Sequence, residues 1–185
     1  MDIFTAFGLS ASAGLNAYIP LLVVSLVARF TNLIELSSPW DTLESWWVIG
    51  VLIALSLVEF FADKVPAVNH INDVIQTFVR PAAGAIVFAA SATVVDVHPV
   101  LAMAAGLLIA GSVHAVKSVA VRPAVTATTG GAGNIPVSIL EDLVSTVLSI
   151  LAIIIPVLIA AMVILVTAWI IWWTWRRANR KRREA

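Results

Sequence analysis

Long apolar runs separated by short polar segments dominate this chain. The longest run, Leu143–Trp175, carries no ionisable side chain and far exceeds the roughly 18 apolar residues that suggest a transmembrane helix. Lipid cannot satisfy exposed backbone polar groups, so such runs form helices that keep their hydrogen bonds internal. The pattern predicts an all-α fold, a polytopic transmembrane helical bundle of about six crossings with interrupted first and fifth segments. The predicted segments are Ile3–Ala28, a run that follows Trp47 and ends near Ala62, Pro81–Asp96, Pro99–Val116, Pro123–Leu140 and Leu143–Trp175.

Composition supports a membrane protein and excludes several soluble classes. Hydrophobic residues make up 61% of the 185 positions and charged residues 12%, against about 45–50% and 25% in ordinary globular domains. A soluble enzyme, a disordered chain and a small secreted scaffold are thereby excluded. The sequence has no cysteine, which excludes disulfides and thiolate metal sites. Motifs of hydrolytic enzymes are absent, so we expect no enzyme activity, no catalytic residue, no cofactor and no metal.

The charges are balanced overall but are distributed unevenly. Eleven basic and eleven acidic residues give a net charge of zero, yet the C-terminal end is strongly basic. A basic segment beside a long apolar helix marks the cytoplasmic side of a membrane. We therefore expect one transmembrane domain over residues 1–175 and a basic cytoplasmic tail over residues 176–185. No nucleic-acid partner is expected, because these basic residues end a membrane span and line no folded groove. They are Arg176, Arg177, Arg180, Lys181, Arg182 and Arg183.

Counting crossings back from the tail predicts a multi-pass protein of the cell (inner) membrane with both termini cytoplasmic. This count requires that Pro123–Leu140 crosses the membrane and that the acidic pair Glu141 and Asp142 lies outside. Every basic residue except Arg29 then faces the cytoplasm, in agreement with the positive-inside rule. If Pro123–Leu140 is instead re-entrant, the count falls to five and the N-terminus moves outside.

Two polar connections are predicted on the cytoplasmic side. Asp63–Arg80 contains His70–Val79, where apolar residues recur at helical spacing and predict a short amphipathic helix on the inner surface. Pro81 is a favourable first helical residue and is expected to begin the third crossing. Lys117–Arg122 is expected to connect the fourth and fifth segments.

The first interrupted segment contains Gly14-Leu-Asn-Ala-Tyr-Ile-Pro20. Pro20 removes a backbone donor and frees a carbonyl about one turn earlier, near Asn16. Such backbone groups are tolerated at membrane depth inside protein or beside a water-filled cavity. Asn16, Tyr18 and Pro20 are therefore candidate pore-lining residues of a discontinuous helix. The alternative is a proline kink with close helix packing at Gly14.

The second interruption, Thr126–Pro136, holds three glycines and four hydrogen-bonding side chains where a crossing is expected. Exposed backbone groups of this kind bind ions and solutes in transporters with broken helices. We expect the stretch to be membrane-embedded and non-helical, and to face the first break across a shared cavity, with Asn16 near Asn134. The alternative is a cytoplasmic glycine-rich loop. The candidate pore-lining residues are Thr128, Thr129, Gly130, Gly131 and Asn134.

The tetrapeptide Val-Arg-Pro-Ala occurs twice, at Val79–Ala82 and Val121–Ala124. It places Arg80 and Arg122 at the starts of two predicted spans, beside the positive ends of their helix dipoles. Together with Lys64 and Lys117, they are expected to form a cationic ring that binds an anion or a lipid headgroup. The alternative is plain positive-inside anchoring.

Ionisable residues near the ends of spans are a further candidate feature. Glu59 and Asp63 are four residues apart and share a helix face. An ionisable residue at membrane depth is a functional candidate, and we expect Glu59 to be the charge partner at the pore, with a proton-linked or cation role. Glu59, Asp63 and His114 lie near span ends, where side chains reach the interface easily. We interpret Asp63 and Lys64 as interface residues and His114 as a packed or interfacial histidine.

An ordered set of motifs resembles a family of small bacterial integral membrane proteins that is catalogued only as a domain of unknown function. The resemblance covers roughly residues 5 to 165 and leaves out the basic tail. It implies a single membrane domain, and it implies no activity. The motifs are Gly14-Leu-Asn-Ala-Tyr-Ile-Pro-Leu-Leu22, Glu59-Phe-Phe-Ala-Asp-Lys-Val-Pro66, Phe78-Val-Arg-Pro-Ala-Ala-Gly84 and Thr126–Asp142.

Irregular backbone at membrane depth must line a cavity, so the two interruptions favour passage of a small solute or ion. We expect a compact transporter or channel with membrane lipids as its surroundings, assembled as a homo-oligomer. The main alternative is a lipid-handling protein that binds a headgroup through its basic residues. A third possibility is a non-catalytic membrane scaffold. A hydrated cavity favours transport, a lateral groove favours lipid, and a filled interior favours a scaffold.

Overall fold

The computed structural model describes residues 3–64, 66–92 and 97–154, with the side chains of 66–71 left undescribed. Within these ranges the regular elements are all helical, which confirms the predicted all-α bundle. The final apolar run beyond Ile154, with an expected kink near Pro156, and the basic tail lie outside the described residues. The helices are α1 Ile3–Leu15, α2 Tyr18–Phe30, a 3-10 helix Trp40–Glu44, α3 Trp46–Ala62, α4 Pro66–Ser91, α5 Pro99–Val116, a π-helical turn Lys117–Val121, α6 Arg122–Thr129 and α7 Asn134–Ile154.

The described helices have the lengths and surfaces of a membrane bundle. The stretches Asn72–Ser91, Pro99–Thr129 and Asn134–Ile154 are long and apolar enough to cross a bilayer, while α1, α2 and α3 are shorter apolar helices. Large apolar side chains point outward, and Trp47 and Phe78 are 82% and 75% exposed. Many polar side chains are buried between the helices instead. Lipid rather than water is the solvent that fits this surface.

The first apolar segment is divided at Asn16 into α1 and α2, so the predicted interruption is confirmed. The Asn16 side-chain oxygen accepts hydrogen bonds from the backbone N–H groups of Tyr18 and Ile19, both at 3.1 Å. This is how an asparagine satisfies the free donors at the start of a helix. Each helix has 13 residues and is therefore about 20 Å long, shorter than the roughly 30 Å hydrocarbon core.

Contacts along α1 give its direction relative to α7. The Ser12 hydroxyl lies 2.8 Å from the Ser145 hydroxyl and 2.7 Å from that of Ser149, while Asn16 donates to Asp142 at 3.0 Å. As α1 advances, its partners on α7 therefore move towards the N-terminus of α7. The two helices are antiparallel, and Asn16 lies deep in the bundle.

The contacts of α2 show that it returns to the end of the bundle where α1 began. The Arg29 guanidinium donates to the Glu44 carbonyl at 2.7 Å, and Trp40 packs against the apolar cluster that contains Ala6 and Ala92. We call this the loop end, because residues 31–45 lie there. The helices α1 and α2 therefore form a re-entrant hairpin with its tip at Asn16. The prediction that Ile3–Ala28 is a broken crossing was wrong, because the residues around Asn16 reverse the chain.

Helix α4 is one continuous helix, which corrects the predicted interface helix and the predicted start at Pro81. Its first half is amphipathic, but the polar side faces inward. Asn72 and Gln76 are buried, whereas Val74 and Phe78 are exposed. An interface helix would present its polar face to water. Here the polar face is buried in the protein and the apolar face is turned outward.

A second long helix joins α5, the π-helical turn and α6 over Pro99–Thr129. Pro123 has no N–H to donate, and the preceding N–H of Arg122 bonds to the carbonyl of Lys117, five residues back. Lys117–Arg122 was predicted to be a connection, and the structure shows that it is helical. The non-helical part of the second interruption is limited to residues 130–133, where Gly130 and Gly131 have φ values of 63° and 91°.

Residues 130–133 form a tight turn between α6 and α7, at what we call the turn end of the bundle. Glycine adopts positive φ values without steric cost, which explains the two glycines. Because α6 continues α5 and α7 reverses direction, Pro123–Leu140 is no separate crossing. The predicted fifth crossing was wrong for this reason.

Candidate functional site

Eight ionisable side chains come together inside the bundle, near the ends of α1 and α3. Each cation lies within ion-pair distance of a carboxylate, so the group has no excess charge. We call this group the ion network. Its cations are Lys64, Arg80, Lys117 and Arg122, and its carboxylates are Glu59, Asp63, Glu141 and Asp142.

Asp63 occupies the centre of the ion network. One of its oxygens accepts from Arg122 at 3.3 Å and from the Ser138 hydroxyl at 3.3 Å, and lies 3.8 Å from Arg80. The other oxygen accepts from the Asn72 amide at 2.6 Å. Burial alone raises the pKa of this carboxyl, but the nearby Lys117, Arg80 and Arg122 outweigh burial and hold its pKa below the ordinary value. Asp63 is therefore an ionised anchor for two arginines.

Glu59 and Arg80 form the most buried pair of the network. The guanidinium donates to one Glu59 oxygen at 2.8 Å, and the two side chains are 1% and 0% exposed. Arg80 also lies 3.2 Å from Nδ1 of His114, whose Nε2 lies 3.2 Å from the Thr77 hydroxyl. The pair is thus held by neighbours on α4 and α5.

Glu141 connects two cations of the π-helical region to α7. It lies 2.8 Å from the Lys117 ammonium and 3.2 Å from Arg122. Lys117 also donates to the carbonyl of Leu15, the last residue of α1, at 3.1 Å. The last carbonyls of a helix lack partners within the helix and carry partial negative charge, so this ammonium stabilises the end of α1.

The tip of the re-entrant hairpin is tied to the same network through Asp142. One Asp142 oxygen accepts from the Asn16 amide at 3.0 Å, and the other from Lys64 at 3.3 Å. The Lys64 ammonium also donates to the Phe60 carbonyl and lies over the Phe60 ring. A single acid on α7 therefore holds the hairpin tip and the end of α3.

A cavity of about 930 Å³ opens beside the network, between the end of α3 and the turn end. Its walls combine two carboxylates and two cations with small and hydroxylated residues. Pockets of about 300–1,000 Å³ in which a few polar groups point towards one space are typical of small-ligand sites. The lining residues include Asp63, Lys64, Asp73, Ser118, Arg122, Thr126, Gly130, Gly131 and Asn134.

A family model described as a domain of unknown function (DUF4126) matches residues 3–177. The chain belongs to this family. No curated protein and no solved structure matches the chain. The predicted resemblance to a family of unknown function is confirmed, and the family description carries no activity.

In this DUF4126 chain, three of the candidate residues at the second interruption line the cavity: Gly130, Gly131 and Asn134. Thr128 and Thr129 are outside its lining, because their hydroxyls donate back to carbonyls of α6. Thr126, one helical turn before Gly130, lines the cavity instead, and its hydroxyl is 3.0 Å from the Asn134 amide.

The candidate residues of the first interruption lie elsewhere. Asn16 and Pro20 are buried in the bundle, and Tyr18 is half-buried against the apolar core. None of the three belongs to the cavity lining. The prediction that Asn16 and Asn134 face each other was wrong: Asn16 pairs with Asp142, eight residues along α7 from Asn134.

The four predicted cations do meet, but they form no bare ring. Each is paired with a carboxylate, and Glu141 and Asp142, which were predicted on the opposite side of the membrane, supply two of those partners. Asp63 was interpreted as an interface residue and is buried instead, and His114, expected to be packed or interfacial, is buried as well. The signal that could have revealed Asp63 is the repeated Val-Arg-Pro-Ala, because both of its arginines point to that carboxylate.

Proposed function

We propose that this protein is a transporter that moves a small polar solute across the membrane. One observation carries the proposal: a cavity with two carboxylates and two cations in its wall opens at the turn end and reaches the ion network, whereas among the described residues α1 and α7 are packed together towards the loop end. A site open to one side and closed to the other is the arrangement that alternating access requires. A channel would need an open path through the loop end as well.

The charges at the cavity indicate the kind of solute. Asp63 and Asp73 contribute two carboxylates, and Lys64 and Arg122 contribute two cations. A solute with net charge would leave one sign of this wall in excess, and an uncompensated charge is costly in a low-dielectric site. The balance favours an uncharged polar or a zwitterionic solute that exchanges partners with the Asp63–Arg122 pair.

The closed half of the bundle is held by contacts that can open. Ser12 bonds to Ser145 and Ser149 across the α1–α7 seam, and an added Cβ at Gly8 would lie 2.8 Å from the Ala152 Cβ. Interhelical hydrogen bonds between such side chains are worth about 0.6 kcal/mol on average in membranes. A seam of this strength permits reversible movement of the hairpin relative to α7.

We further propose an orientation in the cell (inner) membrane. Residues 29–45 at the loop end carry one cation, Arg29, whereas Lys64 and Arg122 lie towards the turn end, so the positive-inside rule favours a loop end on the outside. The N-terminus then lies outside as well, in contrast to the expectation of two cytoplasmic termini.

Cysteine accessibility tests transport directly, because the sequence contains no cysteine. Ala127→Cys lies on the cavity and Ser149→Cys lies in the closed seam. In vesicles of known orientation, an impermeant maleimide should label Ala127→Cys from the turn end. It should also label Ser149→Cys slowly from the loop end, because transport requires the seam to open. Complete protection of Ser149→Cys from both faces would contradict transport and favour a scaffold.

A lateral groove favours lipid handling as a second function. It has a volume of about 400 Å³ and lies between the α5 and α7 helices, with Lys117 and Glu141 beside apolar walls. An acyl chain fits such walls. If this is the main function, Val113→Trp, which fills the groove, should abolish lipid co-purification while leaving the labelling of Ser149→Cys unchanged.

A further inference from the structure

We propose that Glu59 is the site that takes up and releases a coupling proton, and that Arg80 transmits its charge state to Asp63 at the cavity. This inference rests on the proposed transport function, since it names the ion that drives the solute. It concerns a part of the ion network that does not touch the cavity. Glu59 and Arg80 are both absent from the cavity lining.

Glu59 has one oxygen that is paired and one that is not. Arg80 donates to the first oxygen at 2.8 Å, whereas the second has no hydrogen-bonding partner among the described residues. The side-chain oxygen of Gln76 is also buried without a donor among those residues. Buried polar atoms in native proteins are nearly always satisfied. A proton on the second Glu59 oxygen would supply a donor in a region that holds two unsatisfied acceptors.

Glu59 is surrounded by groups from several helices. Arg80 pairs with it from α4, and His114 on α5 contacts the same guanidinium. Asp63 lies one helical turn after Glu59, and its charge and that of Lys117 on the π-helical turn both act on the Glu59 carboxyl. The charge of Glu59 acts in turn on Tyr18 on α2. Tyr18 also interacts with Gln76. Protonation of Glu59 therefore changes the net charge of a cluster of side chains that come from several helices.

Arg80 is placed to respond to the charge of Glu59. Its guanidinium is 2.8 Å from Glu59 and 3.8 Å from Asp63, so the Asp63 pair is the looser of the two. When Glu59 gains a proton, it loses its negative charge and Arg80 loses its closer ion-pair partner. The buried guanidinium then needs another carboxylate, and Asp63 is the one within reach. The proton is transferred to and from water, and no other bond changes.

Asp63 carries this change to the cavity. The same Asp63 oxygen accepts from Arg122, and both residues line the cavity. A closer Arg80 competes with Arg122 for that oxygen and weakens the Asp63–Arg122 pair, while Arg122 keeps its contact with Glu141, so that a solute can replace Asp63 at Arg122. Binding linkage is reciprocal, so a solute that engages Arg122 or Asp63 must in turn change the proton affinity of Glu59.

Infrared difference spectroscopy of the full-length protein in nanodiscs tests the proton site, with pH as the only variable. A protonated carboxylic acid has a C=O stretching band that an ionised carboxylate lacks. Exposed carboxyl groups also give an acid band at low pH, so the band followed here is the high-frequency band of a buried, weakly hydrogen-bonded carboxylic acid. We expect this band in the parent protein and its loss in Glu59→Gln. The matched control Glu35→Gln changes an exposed loop carboxylate and should keep the band. A band that persists in Glu59→Gln would overturn the inference.

Two further variants keep the test decisive if Glu59→Gln does not fold. Glu59→Asp retains an acid and should shift both the frequency and the midpoint pH of the band. Asp63→Asn should change the midpoint pH of the Glu59 band, because it removes the alternative partner of Arg80. An unchanged band in both variants would refute the role of Glu59 and its link to the cavity.

The outcomes separate this inference from the proposed function. A Glu59 band together with a permanently protected Ser149→Cys would leave a proton site in a protein that does not transport. Labelling of Ser149→Cys from the loop end without a Glu59 band would support transport and reject the proton site.

Discussion

At the scale of single residues, the interior depends on exact charge pairing. Each of the four cations of the network lies between 2.8 and 3.3 Å from at least one carboxylate, and Lys117 and Arg122 share Glu141 as the nearest. Breaking a buried pair by removing one partner leaves an uncompensated charge and typically costs about 3–5 kcal/mol. The network is therefore sensitive to changes that surface ion pairs tolerate.

Arg80→Gln should destabilise the protein strongly, because it removes the partner of Glu59 and one neighbour of Asp63. We expect a loss of about 3–5 kcal/mol, measured as a lower Tm in detergent. Arg29→Gln is the matched control: Arg29 is exposed and lies over the Trp46 ring, an interaction worth about 0.5–1 kcal/mol at such sites. Equal losses in the two variants would show that the network contributes no more than a surface contact.

At the scale of elements, the packing of helices decides where a proline is tolerated and where a glycine is needed. Pro81 lies inside α4 without ending it, while Pro123 follows the π-helical turn of the Pro99–Thr129 helix. Tertiary neighbours hold both helices together where local preference would end them. Glycines allow α4 and α5 to approach each other closely, because an added Cβ at Gly84 would lie 2.8 Å from the Gly106 carbonyl oxygen.

Gly84→Ala should weaken the contact between α4 and α5. The added methyl group meets backbone on α5, and overpacking of this kind costs about 1–3 kcal/mol. Gly50→Ala in α3 is the control, because an added Cβ there meets nothing within 4 Å and alanine is the better helix former by about 1 kcal/mol. The Tm should fall for Gly84→Ala and stay level or rise for Gly50→Ala. A fall of equal size in both would contradict the close contact.

At the scale of the whole molecule, the re-entrant hairpin fixes which parts share an end of the bundle. The start of α1 and residues 31–45 lie together at the loop end, and residues 130–133 lie at the turn end. The ion network lies between these ends and joins the hairpin tip to α3, α4, the π-helical turn, α6 and α7. The arrangement fixes which helix ends lie together, which periodicity alone left open.

Labelling from each face of the membrane tests this arrangement. Ile3→Cys and Ser38→Cys should react with an impermeant maleimide from one face, and Ala132→Cys, in the exposed turn, from the other. The reason is that α1 and α2 together cross only part of the bilayer and return. Reaction of Ile3→Cys and Ser38→Cys from opposite faces would restore the broken-crossing interpretation and reject the hairpin.

Several features of the fold could be predicted from the sequence. Apolar runs longer than a bilayer allow few structures besides helices, because backbone groups must bond within their own segment. The break at Asn16 and the turn at Gly130 and Gly131 follow from local chemistry, since Asn begins helices and glycine adopts positive φ. The ionisable residues at the ends of apolar runs also indicated where the ion network forms.

The sequence by itself thus determined the apolar, helical class and the two places, at Asn16 and at Gly130–Gly131, where helices end. Only the tertiary structure decided whether each break continues or reverses the chain, and which charges meet. Lys64, Arg80, Lys117 and Arg122 looked like anchors because positive residues next to apolar runs usually face water. Their carboxylate partners are distant in sequence: Asp142 lies 78 residues from Lys64. Pairing over such separations depends on how helices assemble, and no local pattern encodes it.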